Sequence, residues 1–125
     1  MEKTLCQDVA YVNKGAKHGL DLRPNYLATG GNSGYQAINL AVNHGVKKII
    51  LLGYDMKYDE DRRDNFCGNH PPGVTSGYKP QKFERFIKDF NYIVEPLDKL
   101  GVQVYNCNID SALNCFPKER LDNVL

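Results

Sequence analysis

The chain has 125 residues, of which 42% are hydrophobic and 25% are charged, and its formal net charge is +1. These values are typical of one folded domain over residues 1–125, and they exclude disordered, collagen-like and coiled-coil chains. Because no stripe of lysine and arginine dominates any segment, the sequence also predicts no nucleic-acid partner of the kind that neutralises phosphates.

The compartment is predicted from the apolar runs, the N-terminus and the cysteines. Apolar runs such as residues 49–52 are far shorter than the roughly 20 residues that span a bilayer. The first four residues lack the charged-then-apolar layout of a secretion signal. We therefore expect a cytoplasmic protein without a membrane span, in which Cys6, Cys67, Cys107 and Cys115 are free thiols.

The first half of the chain predicts a strand, a helix and a second strand. The first strand is expected over residues 9–12, which are apolar and partly β-branched. The turn 29–34 opens a helix with an apolar stripe over residues 37–42, and Gly45 supplies its left-handed stop. The continuous apolar run 49–53 then indicates a strand covered on both faces, as in parallel sheets.

The second half of the chain begins with a long segment over residues 54–80, a length typical of lids and binding loops. A helix is predicted over residues 83–100 because apolar residues recur there at offsets of three and four. Pro96 is expected to kink this helix or to break its last turn. A third strand over 102–106 and a short helix over 117–124 complete the prediction.

The order of these elements predicts the fold class. Strands that alternate with helices favour a Rossmann-like, three-layer α/β/α fold with a short, mostly parallel sheet. Residues 49–53 and 102–106 should be parallel strands of one sheet, with the phenylalanines of the 83–100 helix packed on it. A sheet of about three strands leaves an exposed edge, so a homodimer or a companion segment is expected.

Ligands of open α/β sheets bind at the carboxyl ends of the strands, and the first candidate site is a glycine-rich turn. Glycines let a ligand approach the backbone closely, and a helix N-terminus offers unpaired N–H groups that suit a phosphate or a carboxylate. An ordinary capped turn uses the same residue types. The candidate ligand-binding residues of this turn are Thr29, Gly30, Gly31, Asn32, Ser33 and Gly34.

Polar residues after the later strands extend this candidate site. Tyr54 and Asp55 follow the buried strand, where a carboxylate accepts hydrogen bonds from sugar hydroxyls or shapes the turn through backbone N–H groups. Asn106 and Ser111 follow the last strand, where they either contact a nucleotide or sugar or close the loop by local bonds. His70 in the long segment is a candidate general base, with a solvated surface side chain as the alternative.

The spacing of the cysteines bears on a possible metal site. Cys67, His70, Cys107 and Cys115 supply the ligand types of a Cys₃His zinc site. Their spacing is a poor match to known zinc sites, so the sequence predicts no metal. No other cofactor is expected.

Three stretches, taken together, resemble a known pattern. Residues 29–34 followed by a helix, then residues 45–56 and 106–116, resemble the second half of bacterial sialyltransferase-like families, among them the Campylobacter-type sialyltransferases and the DUF115 proteins. Similar proteins occur in phages. The resemblance covers residues 25–120 and implies a glycosyltransferase-like domain that binds a cytidine nucleotide or a nucleotide sugar. It further implies that Ser33 and Gly34 contact the nucleotide, with His70 as the base.

The sequence departs from these families at its N-terminus. Their chains begin with a strand and a Gly-rich, Ser-containing turn that form the other wall of the nucleotide site, and nothing before Val9 matches it. We therefore expect either a fragment of a longer transferase-like chain or a reduced form. The alternative function is a non-catalytic interaction module of phage or mobile-element origin that keeps the fold.

Overall fold

A computed structural model describes residues 10–60, 79 and 81–125, and these residues form a mixed α/β fold. They contain three helices and two short parallel sheets of two strands each. None of the described helices has the length and apolar character needed to cross a membrane. In chain order the elements are β1 Asn13–Lys14, β2 Tyr26–Leu27, α1 Ser33–Asn43, β3 Lys48–Leu51, α2 Lys82–Lys99, β4 Gln103–Asn106 and α3 Leu121–Val124.

The β3–β4 sheet is the pair that the sequence predicts. The two strands are parallel, and their register runs from Lys48 opposite Gln103 to Leu51 opposite Asn106. Ile49 and Leu51 on β3 are buried, and Val104 on β4 is buried with them. The prediction of two parallel strands in one sheet is confirmed, with bounds that end earlier on β3 than predicted.

The prediction of a strand over residues 9–12 is wrong for the residues that the structure describes. Residues 10–12 are not in a strand, and β1 lies at Asn13–Lys14, where it pairs in parallel with β2. The apolar side chains did not set the strand, since Tyr11 and Val12 are 70% and 48% exposed. Backbone pairing sets it instead, with the Asn13 N–H donating to the Asn25 carbonyl at 2.6 Å.

Helix α1 begins and ends where its local signals predict. The Asn32 side chain caps it by accepting a hydrogen bond from the Tyr35 N–H at 2.9 Å. Gly45, with φ +82°, follows the helix as predicted. The buried face differs slightly from the predicted stripe, because Tyr35 and Ile38 are buried whereas Ala37 is exposed.

A buried asparagine fastens α1 to the chain before it. Asn39 is 0% exposed, and its Oδ1 accepts hydrogen bonds from the Asp21 N–H at 2.8 Å and the Ala28 N–H at 3.0 Å. Its Nδ2 donates to the Asp21 carbonyl at 2.9 Å. Three backbone groups of the segment before α1 are therefore satisfied by one side chain.

Helix α2 packs on the core through one face. Phe90, Ile93 and Leu97 are buried, and the Phe90 ring lies 5.7 Å from that of Tyr35. Packing through the phenylalanines is thus confirmed for Phe90, whereas Phe83 and Phe86 are half-buried.

The ends of the C-terminal elements differ from the prediction. Pro96 does not break the last turn of α2, because the helix continues to Lys99 and the Leu100 N–H donates to the Pro96 carbonyl at 3.1 Å. Helix α3 starts at Leu121, later than predicted. The chain before it instead pairs in parallel with the end of β4, through a bridge of Lys118 to Asn106 in which the Asn106 N–H donates to the Pro117 carbonyl at 2.8 Å.

Candidate functional site

The start of α1 and the loops after β3 and β4 meet at one place. The Tyr54 hydroxyl donates a hydrogen bond to the Gly34 carbonyl at 3.0 Å, and the Ser111 hydroxyl donates to the Tyr54 carbonyl. Candidate residues from three separate segments are therefore in direct contact. This is the clustering at the carboxyl ends of parallel strands that the α/β pattern predicts.

Tyr54 is the central side chain of this cluster. It is half-buried, and its ring lies edge-on to that of Phe90 at 6.1 Å between centroids. Burial raises the pKa of the Tyr54 phenol, so the hydroxyl keeps its proton and acts as a donor. The donor already has an acceptor in Gly34, so Tyr54 holds the helix start against the β3 loop.

The loop after β4 is closed by its own side chains. Asn106 is 0% exposed and Ser111 is 3% exposed. The Asn106 amide donates to the Leu113 carbonyl at 3.1 Å and accepts from the Asn108 N–H at 3.1 Å, while Ser111 accepts from the Leu113 N–H at 3.0 Å. These are the local, loop-closing bonds. The ligand contacts that the sequence predicts for Asn106 and Ser111 stay predictions.

Asp55 combines a local role with an exposed carboxylate. Its Oδ1 accepts a hydrogen bond from the Asn108 side-chain amide, and its backbone carbonyl accepts from the Ala112 N–H at 2.9 Å. These bonds join the β3 loop to the β4 loop. Since Asp55 is exposed, its carboxylate also lies where a sugar hydroxyl can reach it.

The Thr29–Gly34 turn is a capped helix start with two glycines in the left-handed backbone region. Gly30 and Gly31 have φ values of +52° and +77°, which side-chain-bearing residues rarely adopt. The cap on Asn32 accounts for the Tyr35 N–H. No described residue accepts a hydrogen bond from the Ser33 or Gly34 N–H groups, which are the donors of the first turn that an anion would use.

A histidine–aspartate pair, which the sequence analysis missed, lies beside this turn. His18 Nε2 is 3.2 Å from Asp89 Oδ1, and Asp89 is 6% exposed. Within the described part of the chain, Asp89 Oδ2 is a buried atom without a hydrogen-bond partner. A Cβ atom added at Gly31 would lie 3.2 Å from this oxygen. The local sequence signal for this pair is Asp89 itself, a charged residue on the apolar face of α2.

Backbone hydrogen bonds fasten residues 16–19, the His18 loop, to the glycine-rich turn. The Thr29 N–H donates to the Ala16 carbonyl at 2.9 Å, and the Gly30 N–H donates to the Lys17 carbonyl at 2.8 Å. The Tyr35 hydroxyl donates to the Gly19 carbonyl at 2.8 Å. Burial raises the pKa of Tyr35 to about 12, so this donor also keeps its proton.

The predicted base and two of the four candidate zinc ligands lie outside the described residues. His70 and Cys67 fall between residues 60 and 79. Among the residues that the structure describes, no group of three or more His, Cys, Asp or Glu side chains is arranged to hold a metal. Cys107 and Cys115 are free thiols, as expected, and burial raises the pKa of Cys115 to about 11.

Comparison with protein-family models, curated proteins and solved structures finds no match to this chain. The resemblance to sialyltransferase-like families therefore stays a prediction. The contacts around the Thr29–Gly34 turn are the observations on which a function can be argued.

Proposed function

We propose that the protein is a glycosyltransferase-like, sialyltransferase-like domain that binds a cytidine nucleotide or nucleotide sugar at the Thr29–Gly34 turn. The observation that carries this proposal is the pair of N–H groups of Ser33 and Gly34, which have no acceptor among the described residues. They open α1, a helix of 11 residues whose dipole favours negative charge at this end. A nucleotide phosphate supplies that charge.

The proposal includes the complete Rossmann-like, three-layer arrangement, with the ligand at the carboxyl edge of the sheet. The parallel β3–β4 pair and the contact of Tyr54 with Gly34 support this placement. In it, the exposed Asp55 carboxylate accepts hydrogen bonds from a sugar hydroxyl. A histidine acts as the base, the role that the resemblance implies for His70. A cytoplasmic setting accords with the free thiols Cys107 and Cys115.

Replacing Ser33 with proline tests the anion site through one N–H group. Proline at the first helical residue removes a donor that the helix does not use, and the extended Asn32 backbone, with φ −155° and ψ 157°, suits a residue before proline. A hydrogen bond to a charged group contributes about 1.5–3 kcal/mol, so affinity for cytidine monophosphate should fall roughly 10- to 100-fold. Isothermal titration calorimetry measures the change.

The matched control is Ser33→Ala, which keeps the N–H group and removes the hydroxyl, and which should bind nearly as the unaltered protein does. Equal affinity in the proline variant, or no heat from the unaltered protein at millimolar nucleotide, would contradict the proposal. A bulky residue at Gly34 is a poorer test. Its Cβ would lie 2.8 Å from Tyr54 Cε1, so a loss of binding would include damage to the fold.

A second candidate function is a non-catalytic phage or mobile-element interaction module, present as a homodimer or with a companion segment. Tyr11 and Val12 favour it, because both are apolar, well exposed and adjacent to the two-residue strand β1. We expect sedimentation equilibrium at micromolar protein to give a mass above the monomer, and Tyr11→Ser with Val12→Ser to reduce it. A stable interface buries more than about 1,000 Å². A clean monomer across the concentration range would count against this candidate.

A further inference from the structure

The pair formed by His18 and Asp89 has the arrangement of a general base with its orienting carboxylate. We propose that the base is His18 in place of His70. His18 accepts the proton of the hydroxyl group that attacks a bound nucleotide sugar, and Asp89 is its positioning residue. This inference rests on the proposed function above, because it takes the ligand at the Thr29–Gly34 turn as given. It assigns a catalytic role to a residue of the described chain that has no part in the contacts around Tyr54.

His18 lies close to the glycine-rich turn. The His18 loop is held to the turn by the bonds from the Thr29 and Gly30 N–H groups. Asp89 approaches the same turn from α2, where its Oδ2 lies beneath Gly31. A ligand held at the turn is thus next to His18, and the intervening backbone is pinned on both sides.

Asp89 sets the orientation of the His18 ring. Asp89 is an acceptor when ionised, so His18 Nε2 carries the hydrogen in the neutral ring and Nδ1 keeps the lone pair. The imidazole also stacks on Tyr92, with ring centroids 3.9 Å apart and 15° between the planes. The His18 side chain is 36% exposed, which leaves a small reactant access to the ring.

Asp89 also stabilises the charge that the base acquires with the proton. When Nδ1 takes a proton, the imidazolium lies beside a buried carboxylate that has no other ion pair among the described residues. A carboxylate hydrogen-bonded to the far nitrogen stabilises such an imidazolium and fixes the tautomer that precedes it. The buried Asp89 therefore both orients His18 and offsets the charge that His18 acquires.

The reaction that follows is a balanced substitution. The oxygen of an acceptor hydroxyl, or of water, forms a bond to the anomeric carbon of the nucleotide sugar, and its proton passes to His18 Nδ1. The bond between the anomeric carbon and the phosphate oxygen breaks, and its electron pair leaves with cytidine monophosphate. The N–H groups of Ser33 and Gly34 stabilise the phosphate charge of the leaving group.

One test needs no ligand and no activity. Long-range ¹H–¹⁵N correlation spectra of the full chain distinguish the two histidine tautomers at a pH where the rings are neutral. We expect His18 in the Nε2–H form, and a mixture of tautomers in Asp89→Asn. A predominant Nδ1–H form in the unaltered protein would overturn the inference directly, whether or not any variant folds.

The second test measures cleavage of a cytidine monophosphate–sialic acid donor with water as the acceptor. Removing a general base typically costs 10²–10⁴-fold in rate, so we expect a loss of about that size in His18→Gln. Affinity for cytidine monophosphate should be unchanged. The matched control is His44→Gln, because His44 is exposed at the far end of α1 and its Nδ1 contacts the Leu40 carbonyl at 2.9 Å.

Asp89→Asn provides the positioning arm of the same experiment. It should lower the rate less than His18→Gln and change the acid limb of the pH–rate profile, which a purely structural role would leave in place. Equal rates in His18→Gln and the unaltered protein would overturn the inference. Nucleotide binding without any donor cleavage would also overturn it and leave the binding proposal standing. Absence of nucleotide binding would overturn both.

Discussion

Replacing Asn39 with leucine should lower the free energy of unfolding by about 2–6 kcal/mol. The substitution leaves the Asp21 and Ala28 N–H groups buried without an acceptor, and each unsatisfied buried donor costs about 1–3 kcal/mol. Leucine branches at the same atom as asparagine and is somewhat larger, so the substitution leaves no cavity and the loss comes from the unpaired polar groups. Urea denaturation followed by circular dichroism measures the change.

The control for this prediction lies one turn further along α1. The Asn43 side chain also donates to backbone carbonyls, those of Asp21 and Tyr26, each at 3.0 Å. Because Asn43 is exposed, water replaces its bonds, and Asn43→Leu should cost less than about 1 kcal/mol. Similar losses in the two variants would contradict the account of Asn39 as a buried fastening.

Replacing Phe90 with alanine should lower the free energy of unfolding by about 3–5 kcal/mol, the range for a fully buried phenylalanine. Phe90 is 0% exposed, and its ring packs against Tyr35, Tyr54 and Phe116, with centroids 5.7 Å, 6.1 Å and 6.4 Å away. The same contacts support the candidate site. The variant should therefore also weaken nucleotide binding under conditions in which it is still folded.

Two further variants keep this prediction testable if Phe90→Ala does not fold. Phe90→Leu leaves a smaller cavity and should lose less stability, with the same cooperative urea transition. Phe86→Ala removes a half-buried ring from the preceding turn of α2 and should cost less than half as much as Phe90→Ala. A loss at Phe86 equal to that at Phe90 would show that the core lies elsewhere on the helix.

The parts of the fold that the sequence predicts are those with local signals. The run that became β3 is continuously apolar, and α2 carries apolar residues at helical spacing along its whole length. Strand β1 has no such signal, since its position depends on backbone bonds to the chain around Asn25. The local effect of Pro96 also gave a wrong prediction of a broken last turn. Burial of the neighbouring Ile93 and Leu97 stabilises the helix by more than the loss of one backbone hydrogen bond destabilises it.

The candidate site divides along the same line. The turn and its cap on Asn32 depend on consecutive residues, so the sequence predicts both, and both are present in the structure. The pairing of His18 with Asp89 joins residues that are distant in the chain, so no window of sequence contains it. The role of Asn39 could not be predicted either. An asparagine within an amphipathic helix is expected on the surface, and its buried position depends on partners that are distant in the sequence.

The distance along the chain between β3 and β4 has a consequence for protein synthesis. Residues 48–51 are synthesised well before residues 103–106. The segment that forms β3 is therefore for a time an apolar segment without its pairing partner. Such apolar, β-prone segments seed aggregation unless charges flank them. Lys47 and Lys48 directly precede Ile49, so two positive charges stand at the start of this apolar run. In the folded protein the same two lysines tie β3 to later chain, through the carbonyls of Leu100 and Val124.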